Sequence, residues 1–342
     1  MWLSKKNEQP QRDVTKVLDS IASNGIELTI DELILYQNKA SLINLAARKN
    51  QQGQMSGNYL SRSKGRGMEF DEVRHYQNGD DIRAIDWRVT ARTGKTHTKL
   101  FREEVERPVL VATDLSHSMI FGSQLLFKSV QAAHLAALVT WHAKGRGDRI
   151  GGIVFNQHKH SELKPRSRKE GVLHYLHNLV ATHQHTLELE NNTSSEGSTN
   201  DDAQQKIYTA FEENCARLRK LSRPGSLVYL ITDGDHVNQE SIRHLSHISR
   251  HCELVVCLIS DPLEHNLPTS KQKMSVAVTD GQSRQNLLIG DSTSSAKYHQ
   301  QAQAYNQHKE AQLSKAGARI LHYSASQTLE QQLTEGVASW ER

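Results

Sequence analysis

The sequence predicts an α/β protein built on a doubly wound, mainly parallel sheet, preceded by a small N-terminal helical arm and a β-rich subdomain. Three observations predict it. From Pro108 onward, strand-length and helix-length runs alternate, which is the rhythm of a parallel sheet with helical crossovers. Runs such as Val109–Thr113 and Leu254–Ile259 are almost unbroken in apolar residues, as strands covered on both faces are. Two of the strands end in short acidic loops, where ligands of such sheets bind.

Residues 1–54 form the arm. Val14, Val17, Leu18 and Ile21 recur at i, i+3, i+4 and i+7, a helix stripe that Asn24-Gly25 ends. A second helix begins at Thr29, with Glu32 three residues on as a capping box, and Tyr36, Ala40, Ile43 and Ala47 line one face. Residues 55–107 change character. Charges of both signs alternate through Arg62, Glu69, Arg74, Asp80, Asp81, Arg83, Asp86, Arg88 and Arg92, with glycines at 57, 65, 67 and 79. Met68–Tyr76 and Thr96–Val105 read as strands and Asn78-Gly79 as a turn, which predicts a mostly β subdomain.

Residues 108–342 carry the main sheet. Strands are expected at Val109–Thr113, Arg149–Phe155, His158–Leu163 (an edge), Leu227–Thr232, Leu254–Ser260 and Arg319–Tyr323. Leu126, Val130, Ala133, Ala137 and Trp141 mark a helix, as do Leu173, Leu176 and Val180 within Lys169–Thr182. Further helices are expected over Gln205–Leu221, Ser241–Arg250, Tyr298–Lys315 and Leu329–Trp340. A low-complexity loop fills residues 191–205, and a hairpin is expected around Asp280-Gly281.

Composition narrows the function classes. With 36% hydrophobic residues, 23% charged and 6 prolines, the chain is ordinary globular protein. The net charge of +4, from 42 basic against 38 acidic residues, is too mild to argue for nucleic acid. Cys215, Cys252 and Cys257 are an odd set, two of them in apolar runs, which predicts free thiols in a reducing compartment. The N-terminus turns polar at once and no apolar run reaches the roughly 20 residues of a membrane span, so a cytoplasmic chain is expected.

The first acidic loop is Asp114-Leu115-Ser116-His117-Ser118 and the second is Thr232-Asp233-Gly234-Asp235. If their strands are neighbours where the strand order reverses, Asp114, Ser116, Ser118 and Asp233 offer hard oxygen ligands. Such a set suits Mg²⁺. A plainer alternative is that Asp114 and the serines cap the helix that follows.

Asp114-x-Ser116-x-Ser118 with Ile231-Thr232-Asp233-Gly234 resembles the metal-ion-dependent adhesion site of von Willebrand factor A domains. Ser61-Arg62-Ser63-x-Gly65-x-Gly67-Met68-Glu69-Phe70-Asp71-Glu72-Val73-Arg74-x-Tyr76, then Gly79-Asp80-Asp81-Ile82-Arg83-x-Ile85-Asp86-Trp87-Arg88 and Asp261-Pro262-Leu263-Glu264, resemble the domain-of-unknown-function 58 family over about residues 30–330. The resemblance implies a von Willebrand factor A-type, Rossmann-like fold and a frequent companion, a MoxR-type AAA+ ATPase that acts as a chaperone-like remodelling machine. It also implies that Ser116 and Ser118 ligate Mg²⁺ (or Mn²⁺ or Ca²⁺) directly, while Asp114 and Asp233 bind it directly or through water. Thr199 is the positional match for a further ligand, and the open metal position would take a partner's carboxylate.

Other features are weighed against plainer readings. Gly94-Lys95-Thr96 lacks the earlier glycine of a phosphate loop, since position 89 is Val, and reads as a turn. The 19 histidines, including His158/His160, His174/His177 and His183/His185, have no cysteine or carboxylate framework and read as solvated surface groups. The 61–92 charges are either a salt-bridged face or a docking surface in which Arg74, Asp81, Arg83, Trp87 and Arg88 meet a partner. No Gly-x-Ser-x-Gly elbow is present, and Ser116 stands where a phosphoryl-transferring dehalogenase-like site has a second aspartate. The expected function is therefore a metal-dependent protein-interaction module, an adaptor for a MoxR-type ATPase, rather than an enzyme. The alternatives are a Mg²⁺-dependent phosphate-ester hydrolase using Asp114 and Asp233, or a structural domain with a non-functional metal site.

Overall fold

The computed structural model describes residues 14–43, 68–77, 79–103, 107–193, 200–268, 274–279 and 284–335. The chain divides into two compact units, one of residues 53–106 and one of residues 1–52 with 107–342.

In the smaller unit, β1 (Met68–His75) pairs antiparallel with β2 (His97–Glu103), with a bulge between Phe70 and Glu72. Between them lie a 3-10 turn, Ile82–Ala84, and a helix, Trp87–Thr93. The charge pattern predicts no helix here, and the structure adds one between the two strands of the expected β-rich subdomain. The cause is capping. Asp86 Oδ1 accepts from the Arg88 and Val89 N–H groups at 3.0 and 3.1 Å. Gly94, at φ 68°, closes the helix in the left-handed region where glycine carries no steric cost. Gly94 thus ends a helix ahead of β2, the reverse of a phosphate loop.

The larger unit holds β3 (Pro108–Asp114), β4 (Arg149–Phe155), β5 (His160–Arg166), β6 (Leu227–Thr232), β7 (Glu253–Ser260) and β10 (Arg319–Ser324), while β8 (Met274–Thr279) and β9 (Arg284–Ile289) pair only with each other. The sheet order is β10-β7-β6-β3-β4-β5. All neighbours are parallel except β5, an antiparallel edge. The protein is therefore a mixed α/β structure with a mostly parallel central sheet. Residues 280–283, the turn of the expected hairpin, lie outside the described residues.

Side chains alternate along each strand, so each face has its own core. Val109, Val111, Ile150, Val154 and Ile231 pack with helices Lys128–Gly145 and Arg168–Thr193. Leu110, Ala112, Ile153, Val228 and Leu230 pack with Phe211 and Leu218 of helix Asn200–Leu221, Leu245 of helix Gln239–Ser249, and Leu313 of helix Ser292–Lys315. Helix Ile30–Lys39, started by the Thr29/Glu32 capping box, covers helix Lys128–Gly145 from outside. The Trp141 indole N–H donates to Leu33 O at 3.0 Å across that contact. Helix Lys128–Gly145 is consequently buried all round from Lys128 to Trp141, not along one stripe. Cys215 and Cys257 are buried, Cys252 is partly so, and all three are free thiols.

Two further expectations change. Helix Arg168–Thr193 runs well past Thr182, because Val172, Tyr175, Leu179, Thr182, His183 and Thr186 continue one buried stripe at helical spacing with polar residues in its later turns. His183 is therefore not a solvated surface group. It is fully buried, with Nε2 3.0 Å from Ser129 Oγ. Burial pushes its pKa down to about 4.

β4 carries Gly151-Gly152 at a register shift against β5. Gly152 has φ 148°, and a Cβ there would sit 1.9 Å from Val111 O of β3. Only glycine lets the strands approach this closely.

Two outcomes are expected from these features. Gly152→Ala should destabilise the protein by more than about 3 kcal/mol in urea unfolding, since backbone must move to admit the methyl. His183 binds its proton more readily unfolded (ordinary value near 6.5) than folded, so its stability contribution is complete above pH 6.5 and is lost as pH falls toward 4. The loss approaches about 3 kcal/mol. Comparing His183→Gln with the parent at pH 7 and pH 5 checks this, and equal pH slopes would contradict it.

Candidate functional site

β3 and β6 lie side by side, and Thr113 pairs with Ile231. This register leaves Asp114 next to Thr232 at the carboxyl ends of both strands. The chain spreads from this pair in opposite directions, through β4 and β5 on one side and β7 and β10 on the other. The pair therefore flanks the point where strand order reverses, and the crevice beyond it is where such sheets bind ligands.

Asp114 is fully buried. Its Oδ1 accepts from Ser116 N at 3.0 Å and Ser116 Oγ at 2.7 Å, and its Oδ2 accepts from Thr232 Oγ1 at 2.8 Å. These donors are neutral. Burial, followed by the charge of Asp233, raises the Asp114 pKa, with His236 and Ser116 opposing. Ser118 Oγ lies 3.0 Å from His236 Nε2. Asp233 Oδ1 accepts from Asp235 N at 3.1 Å, in a turn that Gly234 makes at φ 77°. Asp114, Ser116 and His236 line a small cleft together with Phe155, Gln157 and Phe211.

The plainer alternative does not hold. Helix Lys128–Gly145 follows Phe127 with no side-chain cap bond, and Ser116 flanks the His117–Met119 turn without one either. The carboxylate and the serines are turned toward each other and toward the Asp233 loop.

Lys128 is the residue of the candidate site that the sequence patterns miss. Its ammonium is buried and lies 3.0 Å from Asp233 Oδ2, with Glu264 as second partner. Burial alone would lower its pKa, but Asp233, then Glu264 and Asp235, outweigh it and hold the amine firmly charged. Reciprocally, burial would raise Asp233, and Lys128, then His236, keep it well below the ordinary carboxylate range. One signal was available. Lys128 is the only Lys, Arg, Asp or Glu between residues 104–106 and Lys144 other than Arg107 and Asp114, and it opens an otherwise uncharged run. Asp261 joins the cluster indirectly. It accepts from Ser123 N at 2.9 Å and from Leu263 N at 2.9 Å, and its own N–H donates to Glu264 Oε2 at 3.0 Å. Lys309 holds the rim, donating to Asp233 O at 3.1 Å and Asp235 Oδ1 at 2.7 Å.

Of the expected ligands, Asp114, Ser116, Ser118 and Asp233 are brought into one neighbourhood, while Thr199 lies outside the described residues. No three His, Cys, Asp or Glu side chains among the described residues come close enough to hold a metal by themselves, so a metal here must draw on the serine hydroxyls. The expected docking residues divide. Arg74 pairs with Asp80 at 2.7 Å, and Asp81 caps the 3-10 turn through Arg83 N at 3.0 Å, so both serve internal structure. Arg83, Trp87 and Arg88 are exposed. No helix among the described residues is long and apolar enough to cross a membrane.

The family described as "Protein of unknown function DUF58" matches residues 72–311. Uncharacterized proteins of Mycobacterium tuberculosis and Mycobacterium bovis are each 30% identical over 145 residues, which is 42% of this chain and 42% of the relative. The chain thus matches less than half the length of these curated relatives. A conserved hypothetical protein, BatB, from Bacteroides thetaiotaomicron aligns over 67% of this chain and 98% of its own at 13% identity and a TM-score of 0.36. An aerotolerance-related membrane protein from Bacteroides fragilis aligns over 68% and 98% at 12% identity and 0.33.

Lys128→Met should cost roughly 3–5 kcal/mol in urea unfolding, because it strands Asp233 as a buried unpaired charge. Lys39→Met removes a partly exposed partner of Glu330 and should cost clearly less, about 1 kcal/mol. Equal losses in the two variants would contradict the assignment.

Proposed function

The chain belongs to the DUF58 family, and from that premise we propose that the loops after β3 and β6 form a divalent-metal seat of the von Willebrand factor A type, through which the protein grips a carboxylate of a partner protein. The strand order supports a doubly wound fold of that kind. Taking the six sheet strands in chain order as first to sixth, they lie 3-2-1-4-5-6 across the sheet.

One observation carries the reading. Asp114 is a buried carboxylate held only by neutral donors beside a second, charged carboxylate. Among the described residues Lys128 supplies the one buried ammonium against the carboxylates of Asp114, Asp233 and Glu264, so acidic groups are in excess there. A divalent cation balances that excess. The donors are hard oxygens, which suits Mg²⁺, with Mn²⁺ or Ca²⁺ as substitutes. Ser116 and Ser118 would hold the ion, with Asp114 and Asp233 binding directly or through water. When bound, the ion supplies a Lewis-acidic position that accepts an external carboxylate. The partner we assign is a MoxR-type AAA+ ATPase, for which the protein acts as an adaptor in remodelling other proteins.

A second reading is favoured by Lys128 itself. Its ammonium already neutralises Asp233, so the pocket would be a structural network with a tethered cation and no need of a metal.

Calorimetric titration of Mg²⁺ and Mn²⁺ into the chelator-treated protein separates the two. The metal reading expects saturable binding that Asp114→Ala weakens at least about tenfold, the loss that removing even an outer partner of a ligand can cause. No saturable binding in the parent protein, or unchanged affinity in Asp114→Ala, overturns it and leaves the lysine-filled network.

A further inference from the structure

Ile82 and Trp87 are the most exposed large apolar side chains among the described residues, at 66% and 67%. They stand five residues apart in the smaller unit, one on its 3-10 turn and one opening its helix. The charged residues around them separate by role. The acids are engaged with local structure. Asp80 takes Arg74 at 2.7 Å and Gln77 N at 2.9 Å, Asp81 caps the turn, and Asp86 caps the helix with Lys99 3.8 Å away. Apart from Arg74, the arginines do not pair in this way. Arg83, Arg88 and Arg92 are exposed, and none has an ion-pair partner among the described residues. Arg88 and Arg92, four apart on the helix, project from one face.

We infer that the segment from Ile82 to Arg92 is a docking surface for an acidic protein segment bearing at least one large apolar side chain. Tryptophan and arginine are the side chains most enriched where binding energy concentrates. Exposed guanidinium groups match carboxylates in bidentate geometry, and three of them around an aromatic anchor set the sign of the partner. Polyanions such as nucleic acid or an anionic membrane fit less well. Asp80, held by Arg74 and Gln77 N, and Asp81 and Asp86, held as caps, stand among the arginines and repel a dense run of phosphates. The inference does not rest on the metal seat.

The test is selection of a random peptide display library on the full chain in EDTA, with Trp87→Ala as counter-selection and thermal melts confirming that the variants fold. Enriched peptides should be net negative with a large apolar residue. Their binding should weaken at least about tenfold in Trp87→Ala and again in the Arg88→Glu, Arg92→Glu double variant. The same protein is titrated with phosphatidylglycerol vesicles and a duplex DNA. Enrichment of neutral or basic peptides, no enrichment at all, equal binding by Trp87→Ala, concentration-dependent self-association through this segment, or tighter Trp87-dependent binding to vesicles or DNA overturns the proposal.

Discussion

The register of β3 on β6 is the constraint on which the rest of the site depends. Pairing Thr113 with Ile231 brings both strands to an end together and sets Asp114 against Thr232. Two carboxylates then stand within reach of each other in a buried place, where a like charge and the loss of water both work against ionisation. The structure answers one of them with Lys128. Burial of that ammonium is itself unfavourable and is tolerated because Asp233 and Glu264 surround it. Asp114 receives only hydroxyl and amide donors. The asymmetry between the two acids, one matched by a cation and one not, follows from the register.

Much of this was legible in the sequence, and the reason is periodicity. Strands buried on both faces leave unbroken apolar runs, which is why β3, β4, β6 and β7 stand out along the chain, and acidic loops at strand ends mark where a ligand would sit. The four oxygen-bearing residues were legible as a motif because they follow those runs directly. Lys128 was not, since the partner that brings it into the site lies 105 residues away and no local pattern announces such a contact. His183 was misread for a related reason. Its helix continues past Thr182 on a stripe of threonine and histidine, so the apolar signal that marks a buried face fades while the burial persists. In the smaller unit the acids resembled turn residues, and their role as caps became visible only where Asp86 and Asp81 meet backbone N–H groups.

The two units handle charge differently. The larger one buries ionic groups and matches them across a long sequence separation, as Lys128 does with Asp233. The smaller one consumes its acids locally on caps and leaves arginines outward beside exposed Ile82 and Trp87. The first pattern fixes a fold and shapes a cleft, and the second leaves a surface with a sign and an anchor.

The antiparallel edge strand β5 has a consequence for how the molecule behaves in a crowd. The sheet's outermost row of backbone groups on that side belongs to His160-Ser161-Glu162-Leu163-Lys164-Pro165-Arg166. Pro165 has no N–H to offer, and the charged neighbours would have to be stripped of water before another strand could dock. A sheet of this kind cannot easily be lengthened by a passing chain on that side. Strand addition, the first step of sheet-to-sheet fibre growth, is thereby disfavoured at the β5 edge.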